Sequence, residues 1–209
     1  MIGQVKGVFK PVNKDKNLVE FLEKNLVNKW VDEFLEIDKR YKNNIVFIED
    51  ELKSKFDSVC KLGSKFQEQE AKGEIKYIYF SLLRTSFFKN EWLWRIDLYD
   101  EKWFLDKTEC SINISLDFIY NSFFQKIEEL KEKKKEYGRS ITDMDIEDVM
   151  IGEADKYHIL ATEFLKSIID KLIKVPCYEN LKKTEDVKIM AGEYIGASEV
   201  IYPKQDVLA

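Results

Sequence analysis

From Asn17 onward, apolar residues recur at Leu18, Leu22, Leu26, Trp30 and Phe34, and Val19, Phe21, Val27 and Val31 widen the stripe between glutamates, lysines and asparagines. A repeat near 3.6 predicts an amphipathic helix reaching about Ile37. A second helix is predicted from about Ile45, with Ile48, Leu52, Phe56, Val59 and Phe66 on one face and an interruption at Gly63. The short link over residues 39–44 would make the two helices antiparallel neighbours.

At Glu74 the period drops to 2. Residues 74–88 (EIKYIYFSLLRTSFF) and 91–100 (EWLWRIDLYD) read as two strands around Lys89, Asn90 and Glu91. The register follows from magnitudes. Burying each of Trp92, Trp94, Ile96 and Leu98 is worth roughly 1.5–3 kcal/mol, whereas an exposed Arg–Asp pair offers about 0.2–1 kcal/mol. The tryptophan face therefore dictates the pairing. It sets Ile78, Phe80 and Leu82 beside the tryptophans and turns Tyr77, Tyr79, Ser81, Thr85, Arg95, Asp97 and Tyr99 to the other side. A third strand is expected at residues 102–105 or 111–114.

Helical period returns at Ser115, an N-cap residue type, with Leu116, Ile119, Tyr120, Phe123, Ile127 and Leu130 on one stripe that ends near Tyr137 and Gly138. A last helix is predicted from Thr142 to Ile173, stopped by Pro176 and open to a kink at Gly152. Residues 187–203 read as two short strands around Gly196, Ala197 and Ser198. The fold class is α+β: about four amphipathic helices flanking a small antiparallel sheet, a hairpin or meander near 74–106, with a short C-terminal β element. Residues 1–177 would form one domain, with 178–209 a β appendage packed on it. There is no βαβ repetition, hence no crossover site of the nucleotide-binding kind.

Composition supports a packed core. The 209 residues are 44% hydrophobic and 35% charged, away from the signature of disorder. A net charge of -5 provides no positive field to draw the chain onto nucleic acid or an anionic membrane. Cys60, Cys110 and Cys177 are odd in number and widely spaced, which fits neither a disulfide framework nor zinc-ligand spacing and predicts reduced thiols in the cytoplasm. No stretch reaches eighteen apolar residues, and no secretory h-region opens the chain.

Specific catalytic signatures fail in turn. The chain contains no G-x-G-x-x-G, no phosphate-binding G-x-x-x-x-G-K-[ST] and no G-x-S-x-G. His158 is the single histidine. It could be a base oriented by Asp155, but no nucleophile carries a local signature, and the edge of a buried helix face explains it better. The acidic run over residues 142–155 departs from a calcium loop, with Asp148 where glycine is needed and Ala154 where the bidentate glutamate belongs. Thr142 with Asp145 instead resembles a capping box. The lysines of residues 126–138 alternate with glutamates, as on a solvated face.

Residues 92–106 (WLWRIDLYDEKWFLD) hold what remains. Asp97, Asp100 and Asp106 could form an oxygen-ligand site for a divalent ion such as magnesium, making the chain a metal-dependent enzyme. The preferred expectation is a non-catalytic cytosolic binding protein without a cofactor. It would dock a protein partner or small ligand through Tyr79, Ser81, Arg95, Asp97 and Tyr99, since tyrosine and arginine are enriched at recognition hot spots. Neither nucleic acid nor membrane is expected as a partner.

Overall fold

The computed structural model describes residues 16–26, 30–83, 86 and 92–203. Its helices are α1 (Lys16–Asn25), α2 (Trp30–Asn43), α3 (Ile45–Glu68), α4 (Asp117–Lys133), α5 (Asp143–Leu172) and the short α6 (Pro176–Asn180). The strands are β1 (Ile75–Leu82), β2 (Trp94–Tyr99), β3 (Ser111–Ile114), β4 (Lys183–Glu193) and β5 (Ser198–Tyr202). They form one sheet in the order β3-β2-β1-β4-β5. The chain is α+β, as the pattern predicts.

The hairpin register is the one that tryptophan burial requires. Ile78 pairs with Leu98, Phe80 with Ile96 and Leu82 with Trp94, and all six side chains are buried on the helix side. Phe56 of α3 stacks on Phe80 with centroids 5.9 Å apart, and Tyr120 of α4 lies over Trp92 at 4.4 Å. The Trp94 indole N–H donates to the Tyr120 hydroxyl at 2.9 Å, giving a polar atom in the core its partner. His158, half-buried on α5, stacks against Trp94 at 5.4 Å, so the lone histidine serves the core. The predicted turn at Lys89, Asn90 and Glu91, together with Thr85 and Phe87, lies outside the described residues.

Several boundaries differ from expectation. The first helical stretch is two helices, α1 and α2, and α2 continues to Asn43, so only Asn44 separates it from α3. Gly63 does not interrupt α3. A Cβ there would stand 2.9 Å from Leu98 Cδ2 and 3.1 Å from Leu181 Cδ1, so glycine lets the helix approach the sheet closely. Gly152 leaves α5 unbroken, and Pro176 opens α6 at its first position, where its missing N–H costs nothing. The third strand is Ser111–Ile114, whereas Trp103–Leu105 is a single 3-10 turn. Thr142 and Asp145 form the capping box: Thr142 Oγ1 accepts from Asp145 N at 3.2 Å, and Asp145 Oδ2 accepts from Thr142 N at 2.9 Å.

The sheet is mixed. Three neighbour pairs are antiparallel, but β4 pairs parallel with β1. The C-terminal element thus supplies two of five strands, with Ile189, Ala191 and Ile201 in the core. Gly192 is required where β4 meets β5, because a Cβ there would fall 2.3 Å from Ala197 O. Most of the 126–138 lysines pair with nearby glutamates on the surface, but Lys126 is buried between Glu33 of α2 at 2.9 Å and Glu153 of α5 at 3.2 Å.

Candidate functional site

Alternation along β1 and β2 places Tyr77, Tyr79, Ser81, Arg95, Asp97 and Tyr99 together on the face away from the helices. Tyr77 pairs with Tyr99, Tyr79 with Asp97 and Ser81 with Arg95. The five residues singled out from the sequence do share one surface. Four of them, however, are closed off: Tyr79, Ser81 and Asp97 are at most 2% exposed, and Tyr99 is 9% exposed, while Arg95 is half-buried.

The cover comes from two turns. After β2, the chain rises through Trp103 and Phe104, whose rings sit 5.3 Å from Tyr99, with Trp103 also 4.3 Å from Tyr77 and 5.7 Å from Tyr79. From the other side, the β4–β5 turn brings Tyr194 to 5.9 Å from Phe104. The Arg95 guanidinium lies 4.9 Å from the Tyr194 ring centre, an attraction between a cation and a ring face. The result is an aromatic cap over the tyrosine face, built from residues that the period-2 pattern did not reveal. The available signal was Trp103-Phe104-Leu105, three large hydrophobics in succession after a polar turn.

Beneath the cap, Arg95 and Asp97 form a two-point ion pair, with Nε and Nη2 each 2.8 Å from a carboxylate oxygen. Arg95 also reaches Glu109 at 3.1 Å. Burial raises the Asp97 pKa above its ordinary value, an effect that Arg95 only partly offsets. Burial also raises the phenols of Tyr79 and Tyr99, so both stay protonated at neutral pH. The Tyr79 hydroxyl donates to the Glu193 carbonyl, tying β1 to the start of the β4–β5 turn. Both Asp97 oxygens are engaged by Arg95 and the phenols keep their protons, so this arrangement joins the sheet face to its cap through an ion pair and hydrogen bonds.

The alternative carboxylate set does not converge. Asp97 is held by Arg95, and Asp100 accepts from the Lys102 backbone N–H at 2.9 Å. Asp106 is bound by the fully buried Lys72 ammonium, which also donates to Thr108 O at 2.8 Å. Burial acts to raise the Asp106 pKa, but the hydrogen bonds from Lys72 and the Thr108 amide outweigh it and hold the carboxyl below the usual aspartate value. Among the described residues, no three histidine, cysteine, aspartate or glutamate side chains come together as a set that could hold a metal ion. All three cysteines are free thiols. No helix among the described residues is long and apolar enough to cross a membrane.

The outer surface of the cap is apolar. Leu105 is 81% exposed, Ile195 71%, and Phe104 and Tyr194 each 36%. Both turns also carry unfavourable backbone. Trp103 has φ 54° and Ile195 φ 56°, in the left-handed region where a side chain's Cβ crowds the following carbonyl oxygen. Comparison with family models finds no match to this chain, and comparisons with curated proteins and with solved structures find none either.

Proposed function

We propose that this chain is a non-catalytic interaction protein of the cytoplasm that docks a protein partner through the aromatic cap, with Leu105, Ile195, Phe104 and Tyr194 making contact. Tyr79, Ser81, Asp97 and Tyr99 act as the buried platform beneath them, and Arg95 links the two layers. One observation carries this reading: Trp103 and Ile195, both bulky, hold left-handed backbone in the two turns that meet over the tyrosine face. Each such residue costs about 1–2 kcal/mol. Ile195 recovers little of that by burial, because most of its side chain stays in solvent. Strained residues persist where the surrounding structure imposes them, and they cluster at functional positions such as active sites, ligand clamps and switch regions. An exposed apolar patch with a polar rim is also the usual mark of a protein–protein contact. The free thiols and net charge of -5 suit a reducing cytoplasmic setting.

The test compares immobilised wild-type chain with the double variant Leu105→Ser, Ile195→Ser. Both positions are mostly exposed, so folding stability should change by no more than about 0.5 kcal/mol. A protein retained by the wild type, lost by the variant, and shown with purified components to bind the wild type directly is the expected result. Equal retention of every captured protein by the two forms would overturn the reading.

A further inference from the structure

A second apolar surface lies on α2. Successive helical residues turn by about 100°, so Trp30, Val31, Phe34 and Leu35, at i, i+1, i+4 and i+5, share one face. All four are 45–57% exposed. Asp38 and Lys42 continue that face and close it with their own ion pair at 2.6 Å. The apolar strip is therefore confined to the amino-terminal half of the helix.

That half is acidic. It carries Asp32, Glu33 and Glu36 and no base, whereas Lys39, Arg40 and Lys42 outnumber Asp38 in the other half. Glu33 is bound by Lys126 at 2.9 Å. Asp32 and Glu36 are exposed and have no ion-pair partner among the described residues. Both line a cavity of about 240 Å³ between α1, α2 and α4. Its two lysines are already engaged, Lys126 by Glu33 and Glu153 and Lys133 by Glu129. The charges of α1 balance, Lys16 and Lys24 against Glu20 and Glu23. An apolar strip beside two unanswered carboxylates calls for an occupant that is both apolar and basic.

Residues 1–15, which lie outside the described residues, have that composition: Ile2, Val5, Val8, Phe9 and Val12 are interspersed with Lys6, Lys10 and Lys14, against the single acid Asp15. We propose that this segment covers the amino-terminal half of α2, with its apolar residues on Trp30, Val31, Phe34 and Leu35 and its lysines beside Asp32 and Glu36. Reach permits it. From Lys16 to Trp30 the path is at most about 15 Å along α1 plus about 14 Å over the four residues that follow Leu26. Val5, eleven residues before Lys16, can extend about 36–40 Å from it. The tether favours this occupant over a separate molecule, because a linked segment meets its site at an effective concentration in the millimolar range.

Carbodiimide coupling of the full chain tests the proposal, since it joins an amine to a carboxylate only where the two touch. Read by peptide mass spectrometry, Lys6, Lys10 or Lys14 should couple to Asp32 or Glu36 within one chain, at a yield unchanged on dilution from high to low micromolar. Val8→Ser with Phe9→Ser keeps every reacting group and should cut that yield about ten-fold or more, the factor that burying one large apolar side chain supplies. Trp30→Ser with Phe34→Ser should do the same from the helix side. Absence of this coupling, or coupling only between two chains, would overturn the proposal. Equal coupling to an exposed acid elsewhere, such as Glu185 of β4, would overturn it as well, as would a yield that ignores both pairs of substitutions.

Discussion

Replacing Ile195 by glycine is expected to make the protein more stable, although it deletes a large hydrophobic side chain. Gly196 N–H donates to Glu193 O at 3.0 Å, closing a four-residue turn in which Ile195 is the third residue and carries φ 56°. Glycine is the residue that position favours, and a β-branched side chain is among the worst choices for it. Relieving the left-handed conformation returns about 1–2 kcal/mol. The added freedom of glycine in the unfolded chain takes back about 0.5–1 kcal/mol. Ile195 is 71% exposed, so little burial is lost. The net gain is about 0.5–1 kcal/mol, or roughly 1–4 °C in Tm for a domain of this size. Differential scanning calorimetry on Ile195→Gly, Ile195→Ala and wild type measures it. Alanine keeps a Cβ and hence most of the strain, so it should fall clearly below glycine. If the cap is the docking surface, Ile195→Gly should also bind its partner less well while melting higher, the usual trade between stability and function. A glycine variant that melts at or below both wild type and Ile195→Ala would refute the strain argument.

Three further outcomes follow from the packing. Asp106→Asn strands the buried Lys72 ammonium and should cost about 3–5 kcal/mol in urea unfolding. Because the folded Asp106 pKa is lowered, its stabilisation is present above the ordinary aspartate value of about 3.9 and is lost as pH falls through the lower folded value. The wild type should therefore lose stability more steeply than the variant below about pH 4, and identical acid limbs would contradict this. Gly192→Ala would set a Cβ 2.3 Å from Ala197 O and 2.5 Å from Ser198 Cα. That should cost about 1–3 kcal/mol or more and speed amide exchange in β4 and β5, and an unchanged melting curve would disprove the close approach. Tyr120→Phe removes the acceptor for the Trp94 indole N–H and should cost about 1–3 kcal/mol, and a loss too small to measure would mean that bond is absent.

The parts of the fold set by local pattern were legible in advance. Burial of Trp92 and Trp94 outweighs any surface ion pair, so the β1–β2 register and the composition of both faces follow from side-chain energies. The α5 start was legible because Thr142 and Asp145 carry their own capping chemistry. What depended on distant contacts was not. Nothing in the alternation of residues 183–193 says that this strand pairs parallel with β1, about a hundred residues earlier in the chain. The close approach at Gly63 depends on Leu98 and Leu181, which no helical periodicity can report. The candidate site shows the same division. Its platform of Tyr79, Ser81, Arg95, Asp97 and Tyr99 was readable as one face, but its cover was not, because Trp103, Phe104 and Tyr194 sit in turns whose placement is set by tertiary packing and, at Trp103 and Ile195, runs against local backbone preference.

Hydroxyl-radical footprinting of the free chain, read residue by residue by mass spectrometry, tests most directly whether the aromatic turns are the outward surface and the sheet tyrosines their buried support. Leu105, Phe104, Tyr194 and Ile195 should oxidise readily, while Tyr79 and Tyr99 are protected to the degree of the core residue Trp94. Tyr79 and Tyr99 reacting as fast as Tyr194 would contradict the account.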